Sequence, residues 1–296
     1  MFAPVSHPLR RFALAALLVA ALPATARAAN GFIIKVNLST AMSGNVTPGD
    51  LAGFPITITR PGTYELDGNL DLRNQFTPQN VNAIQVTADD VTIDLKGFEI
   101  IGPTTCGGRP LVCMPAGGTG DGISSSNRNI TVVNGTIRGM GDDAVVLNDN
   151  AIVRNLRALN NGGDGIAVDD ASLVEDSTVF ANGEQGIQTG QGSIVRNNTV
   201  ADNHQEGILT NQAALVSGNA VFRNDDDGIQ ISGAGTVTNN TVHSHTNHFG
   251  LNLGAGSGYG GNVLRDNNGP AGNNNAQVSG GLQIGTNVCG TDIVCP

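Results

Sequence analysis

The sequence predicts an all-β solenoid of stacked coils, about 21 to 22 residues and three short strands per coil, and three observations carry that reading. Val132, Val153, Val174, Val195, Val216 and Val237 stand at strict 21-residue intervals. Asn161, Asn182, Asn203 and Asn224 keep the same step, each four residues before Gly165, Gly186, Gly207 or Gly228. An isoleucine follows each of those glycines: Ile166, Ile187, Ile208 and Ile229. No coil can bury its own apolar side chains, so stacking closes the core and function has to sit on the outside.

At the N-terminus, Arg10 and Arg11 precede an apolar run over residues 12–22, and Ala26-Arg27-Ala28 supplies a small-x-small cleavage signal. Residues 1–28 therefore read as a secretory signal peptide cleaved after about Ala28, and the protein is expected to be secreted or periplasmic. The run is shorter than the roughly 20 residues of a membrane span, so no membrane insertion is expected. Three of the 15 basic residues and none of the 25 acidic ones lie in that segment. The remaining chain carries about −13 with histidines neutral, which disfavours nucleic acid and anionic lipid as partners. A polyuronate would also be repelled unless a cation such as Ca²⁺ intervened. The chain has no Trp and only Tyr64 and Tyr259 as tyrosines, so an aromatic platform for sugar rings is hard to build.

Residues 29–60 are expected to cap the stack, and residues 61–288 to form it, since solenoid ends expose strand edges that need covering. Within each coil the first strand is Gly-Ile-x-Val/Thr/Ile, as in Gly165-Ile166-Ala167-Val168, with Ile166 and Val168 inward and Ala167 outward. The second holds the valine column. The third ends at Ile137, Ala158, Val179, Val200, Val221 and Val242, again every 21 residues. Asn134, Asn155, Asp176, Asn197 and Asn239 share a corner column interrupted by Gly218, which predicts left-handed corners and a buried ladder of stacked amides. Arg154, Glu175 and Arg196 form an outward row of alternating charge, expected to pair between coils. Between Ala83 and Gly122 the spacing is 39, so residues 102–120 are expected to leave the stack as a loop. Cys106 and Cys113 in that loop, and Cys289 and Cys295 in a tail over 289–296, are close pairs that an oxidising compartment would bridge. Metal ligation is the rival reading, but no histidine lies near either pair.

The Asn-x₃-Gly-Ile units, with Pro61-Gly62-Thr63-Tyr64 and Val91-Thr92-Ile93-Asp94-Leu95-Lys96-Gly97, resemble bacterial right-handed parallel β-helix repeat proteins of the pectate-lyase-like superfamily. The resemblance spans about residues 60–288 and implies a single-stranded right-handed parallel β-helix. By fold analogy it also implies a monomeric protein that recognises or processes an extracellular polysaccharide. A non-catalytic structural or adhesive solenoid is the rival class.

Chemistry is expected at the corner before the Gly-Ile strand, which carries Asp121, Asp142, Asp143, Asp164, Glu184, Glu206, Asp225, Asp226 and Asp227. Gly141-Asp142-Asp143 resembles the Gly-Asp-Asp motif of polygalacturonases, and Thr119-Gly120-Asp121 keeps the aspartate of their Asn-Thr-Asp. Where they carry Gly-His-Gly this chain has Gly163-Asp164-Gly165, and no Arg-Ile-Lys follows. If the protein is a glycoside hydrolase, Asp121, Asp142 and Asp143 are its candidate catalytic residues. A polysaccharide lyase lacks an evident base, because Lys35 and Lys96 are the only lysines and both are N-terminal. For a metal, the candidates are Asp225, Asp226 and Asp227 with His204, which the repeat stacks on Asp225; Ca²⁺ is the ion such aspartates suit. Solvated corner acids are the competing reading.

Overall fold

The computed structural model describes residues 33–270, 275–290 and 295, and the expected signal segment lies outside them. Strand pairing is parallel from coil to coil, and three sheets run the length of the stack. The first contains Ile84–Val86, Ile123–Ser125, Val145–Leu147, Ile166–Val168, Ile187–Thr189, Ile208–Thr210 and Ile229–Ile231. Each pairs with the next at the register the sequence gives, as in Ile166↔Ile187. The second sheet follows the valine column, with Val174↔Val195 and Val195↔Val216. The third follows Val179↔Val200 and Val200↔Val221. These inward side chains are fully buried and form one continuous core, in which Tyr64 is the largest fully buried side chain.

One expectation about extent changes. The stack begins before residue 61, because Ile33–Val36 pairs with Gly62–Leu66 and Ile56–Ile58 pairs with Ile84–Val86. A short helix, Leu38–Ser43, interrupts this first coil and hides its period. Asn37 caps that helix through Thr40 in a reciprocal capping box. At the other end Val278–Gln283 pairs with Leu251–Gly260, and Val288–Cys289 pairs with Val263–Arg265, so a further coil follows Gly250.

The corner column Asn134, Asn155, Asp176, Asn197 and Asn239 has positive φ throughout, with Gly218 at +69°, as expected of a left-handed turn. It is not the buried ladder, however. That role falls to the next residue in each coil: Ser177, Asn198, Asn219, Asn240, Asn262 and Asn287 are buried. A second ladder runs through Asn161, Asn182, Asn203, Asn224, His245 and Asn267. Asn182 shows the logic. Its Oδ1 accepts from Asn161 N and Nδ2 at 3.1 and 2.8 Å, while its Nδ2 donates to Asn203 Oδ1 and Ala158 O at 2.9 and 3.2 Å. Four bonds exhaust the amide, so burial leaves nothing unpaired. The outward row pairs as expected, with Arg154 and Arg196 each 2.6 Å from Glu175.

Residues 102–120 leave the third sheet and fold back along the stack. Thr105–Gly107 and Val112–Met114 form an antiparallel hairpin that places Cys106 opposite Cys113, and the two are bridged. Cys289 and Cys295 are bridged as well.

Candidate functional site

The corner between the third and first sheets gathers the acids because a polar column there recurs every 21 or 22 residues. Asp121, Asp143, Asp164, Gln185, Glu206 and Asp227 each stand just before a first-sheet strand. A carboxyl oxygen there can cap the strand of the next coil. Asp143 N lies 3.4 Å from Asp121 Oδ1, Asp164 N donates to Asp143 Oδ1 at 2.6 Å, and Gln185 N donates to Asp164 Oδ1 at 2.8 Å. Phe249 N does the same to Asp227 Oδ1 at 2.7 Å.

The structure brings Asp121, Asp142 and Asp143 together. A Cβ on Gly163 would overlap both Asp142 Oδ1 and Asp143 Oδ1, so glycine lets the two carboxyls approach from successive positions. Burial raises all three, and repulsion from neighbouring carboxylates adds to it at Asp121 and Asp143. Asp143 is pushed up to about 8, by burial and then by the charge of Asp164. Asp121 rises to about 6, by burial opposed by a hydrogen bond from Ser124. Asp142 is raised by burial. The repeat also stacks Asp164 on Asp143, where burial pushes it up to about 7. The sequence already places Asp164 in the acidic corner, but its Gly163-Asp164-Gly165 context, where polygalacturonases carry Gly-His-Gly, keeps it out of the candidate catalytic set. Such a cluster holds protonated carboxyls beside ionisable ones near neutral pH, the condition for paired acid and base chemistry.

The hairpin walls this corner on the third-sheet side. Cys106 Sγ lies 3.4 Å from Asn161 O, and Cys113 Sγ fills space left by Gly183. Farther along, Arg109 pairs with Asp202, donates to Arg223 O at 2.9 Å, and stands 3.7 Å from Asp225. Leu111 N donates to Asp225 Oδ2 at 3.1 Å. At the opposite end of the first-sheet strands a shallow cavity of about 210 Å³ is lined by Val146, Ala167, Asp169, Gln188 and Asn211.

Of the metal candidates, His204 and Asp225 form one pair, 3.3 Å apart, which the hairpin also engages. Asp226 and Asp227 converge instead with His248. The other described histidines lie elsewhere: His245 is buried in the asparagine ladder, and His243 stacks on Phe222 with ring centroids 5.2 Å apart.

A family model described as "Right handed beta helix region" matches residues 73–219 and 122–289. No curated protein matches the chain. Among solved structures, the A-module of Azotobacter vinelandii mannuronan C-5 epimerase AlgE4 is 17% identical, with a TM-score of 0.47, over 74% of this chain and 72% of that one. The AlgE6 A-module of the same organism is 15% identical, with a TM-score of 0.39, over 80% of this chain and 91% of that one.

Proposed function

The chain belongs to the right-handed β-helix family, and from that premise we propose that it is an exported protein that processes an extracellular polysaccharide along its acidic corner. The observation that carries the proposal is the group Asp121, Asp142, Asp143 and Asp164, in which burial and mutual repulsion lift Asp121, Asp143 and Asp164 to about 6, 8 and 7. A carboxyl that keeps its proton at neutral pH can donate it to a glycosidic oxygen, while an ionised neighbour serves as base or nucleophile. We assign Asp143 the acid role and Asp142 the ionised one, with Asp121 positioned to tune both. Two disulfides among the described residues fit an oxidising compartment, and no described helix is long and apolar enough to cross a membrane.

A second reading has its own support. Asp164 and Asp227 cap the next coil in the way Asp143 does, although neither belongs to a Gly-Asp-Asp motif. Capping of that kind is what a passive solenoid needs from its corner acids. A panel of neutral and acidic polysaccharides separates the readings, assayed for new reducing ends and for unsaturated uronate absorbance. With a hydrolysed substrate in hand, Asp142→Asn and Asp143→Asn are each expected to lower kcat by at least 100-fold with glycan binding retained. A panel with no turnover would leave the structural reading standing.

A further inference from the structure

The coil from Asp226 to His248 is one residue longer than the four before it, and the extra residue sets His248 directly over Asp226 in the outer corner column. His248 Nδ1 lies 2.6 Å from Asp226 Oδ1. One donor atom each from Asp226, Asp227 and His248 lies within 4.8 Å of the others. Asp227 is 5% exposed, and its two oxygens are fixed by Phe249 N and Asn252 Nδ2, both at 2.7 Å. Each oxygen retains a second lone pair for a further partner. Asp202, Asp225 and Glu175 each face an arginine, whereas among the described residues no lysine or arginine pairs with Asp226 or Asp227.

We propose that Asp226, Asp227 and His248 bind a divalent transition metal of the Zn²⁺ type. Two carboxylates and a neutral imidazole match one divalent charge. A nitrogen in so small a set selects zinc over Ca²⁺, which takes six to eight oxygens. Ligands about 2.0–2.1 Å from one zinc ion stand about 3 Å apart, so the existing contact between Asp226 and His248 needs little adjustment. Three protein ligands leave a fourth position open at the corner. This set replaces the one the sequence suggested: His204 turns to Asp225, which the hairpin already holds through Arg109 and Leu111.

The test is calorimetric titration of the untagged mature chain with ZnCl₂ and, separately, CaCl₂, with Tm read at saturation. One Zn²⁺ per chain, a Tm raised by a few degrees, and Ca²⁺ at least tenfold weaker are expected. His248→Gln should weaken zinc binding at least tenfold, as should Asp226→Asn, which keeps the Oδ1 that accepts from Asp227 N. His204→Gln should leave it unchanged. Circular dichroism confirms that each variant folds, and either of the first two suffices if the other does not. Absence of zinc binding, unaltered binding in both His248→Gln and Asp226→Asn, or loss in His204→Gln would each overturn the proposal and leave a surface ion pair.

Discussion

His245 stands where its neighbours in the ladder are Asn224 and Asn267, and a histidine fits only in one state. Asn224 Nδ2 donates to its Nε2 at 3.1 Å, and its Nδ1 donates to Asn267 Oδ1 at 2.8 Å, so the ring is the neutral Nδ1–H tautomer. A proton on Nε2 would set N–H against N–H in a site with no exposed surface. Burial accordingly lowers the imidazole to about 4. As pH falls, the unfolded chain takes up this proton first, near 6.5. Stability present above that value is lost progressively down to about pH 4, by on the order of 3 kcal/mol. His245→Asn restores the amide ladder and should remove most of that acid loss while changing Tm little at pH 8. Thermal melts of the two proteins from pH 4 to 8 check it, and parallel curves would refute it.

Within a single strand, polar substitutions in the core stand out. The last inward position of the first sheet reads Val168, Thr189, Thr210 and Ile231, and the hydroxyls of Thr189 and Thr210 are buried without a hydrogen-bond partner. Valine has nearly the same shape and no hydroxyl. Thr189→Val and Thr210→Val should each stabilise by about 1 kcal/mol, read as a higher midpoint in denaturant at unchanged slope. A lower midpoint for both would contradict the reading. The strands themselves were legible in the sequence because each inward position repeats one chemical type, as the valine column does. Which of two adjacent polar columns is buried was not legible. Asn197 and Asn198 lie in columns of the same period, and only the left-handed turn at Asn197 decides that Asn198 points inward. The first coil escaped for another reason: the helix-bearing segment between Ile33–Val36 and Ile56–Ile58 breaks the spacing. Asp121, Asp142 and Asp143 could be singled out because Gly-Asp-Asp occurs once. The landing place of the hairpin could not, since Arg109 meets Asp202 across 93 residues.

Across the whole molecule the acid column and the asparagine ladder respond to pH in opposite senses. Asp143 and Asp164, raised to about 8 and 7, hold protons that their unfolded forms lose near 4. Their contribution is fully present below about pH 4 and is lost as pH rises through their folded values. Together with the acid loss from His245, this places an optimum at mildly acidic to neutral pH. Asp143→Asn keeps the Oδ1 that accepts from Asp164 N and removes the ionisation. It should raise Tm by about 5 °C at pH 9 and by much less at pH 5. A variant less stable than the parent at pH 9 would show that the carboxylate is compensated in some other way.

The hairpin has a consequence for how such a protein can change length. Each coil offers its neighbours the same edge, so duplicating or losing one 21-residue unit restores every register around it. A gene could therefore grow or shrink this rod in whole coils at little structural cost. The stretch from Asn161 to Asp225 is the exception. The hairpin touches Asn161 at its base and Asp202, Arg223 and Asp225 near its tip, as a ruler laid across a fixed number of coils. A coil gained or lost beneath it would move Asp202 and Asp225 out of reach of Arg109 and uncover the corner. Heritable variation in length should accordingly fall on the coils beyond the ruler, while the number of coils under it stays constant.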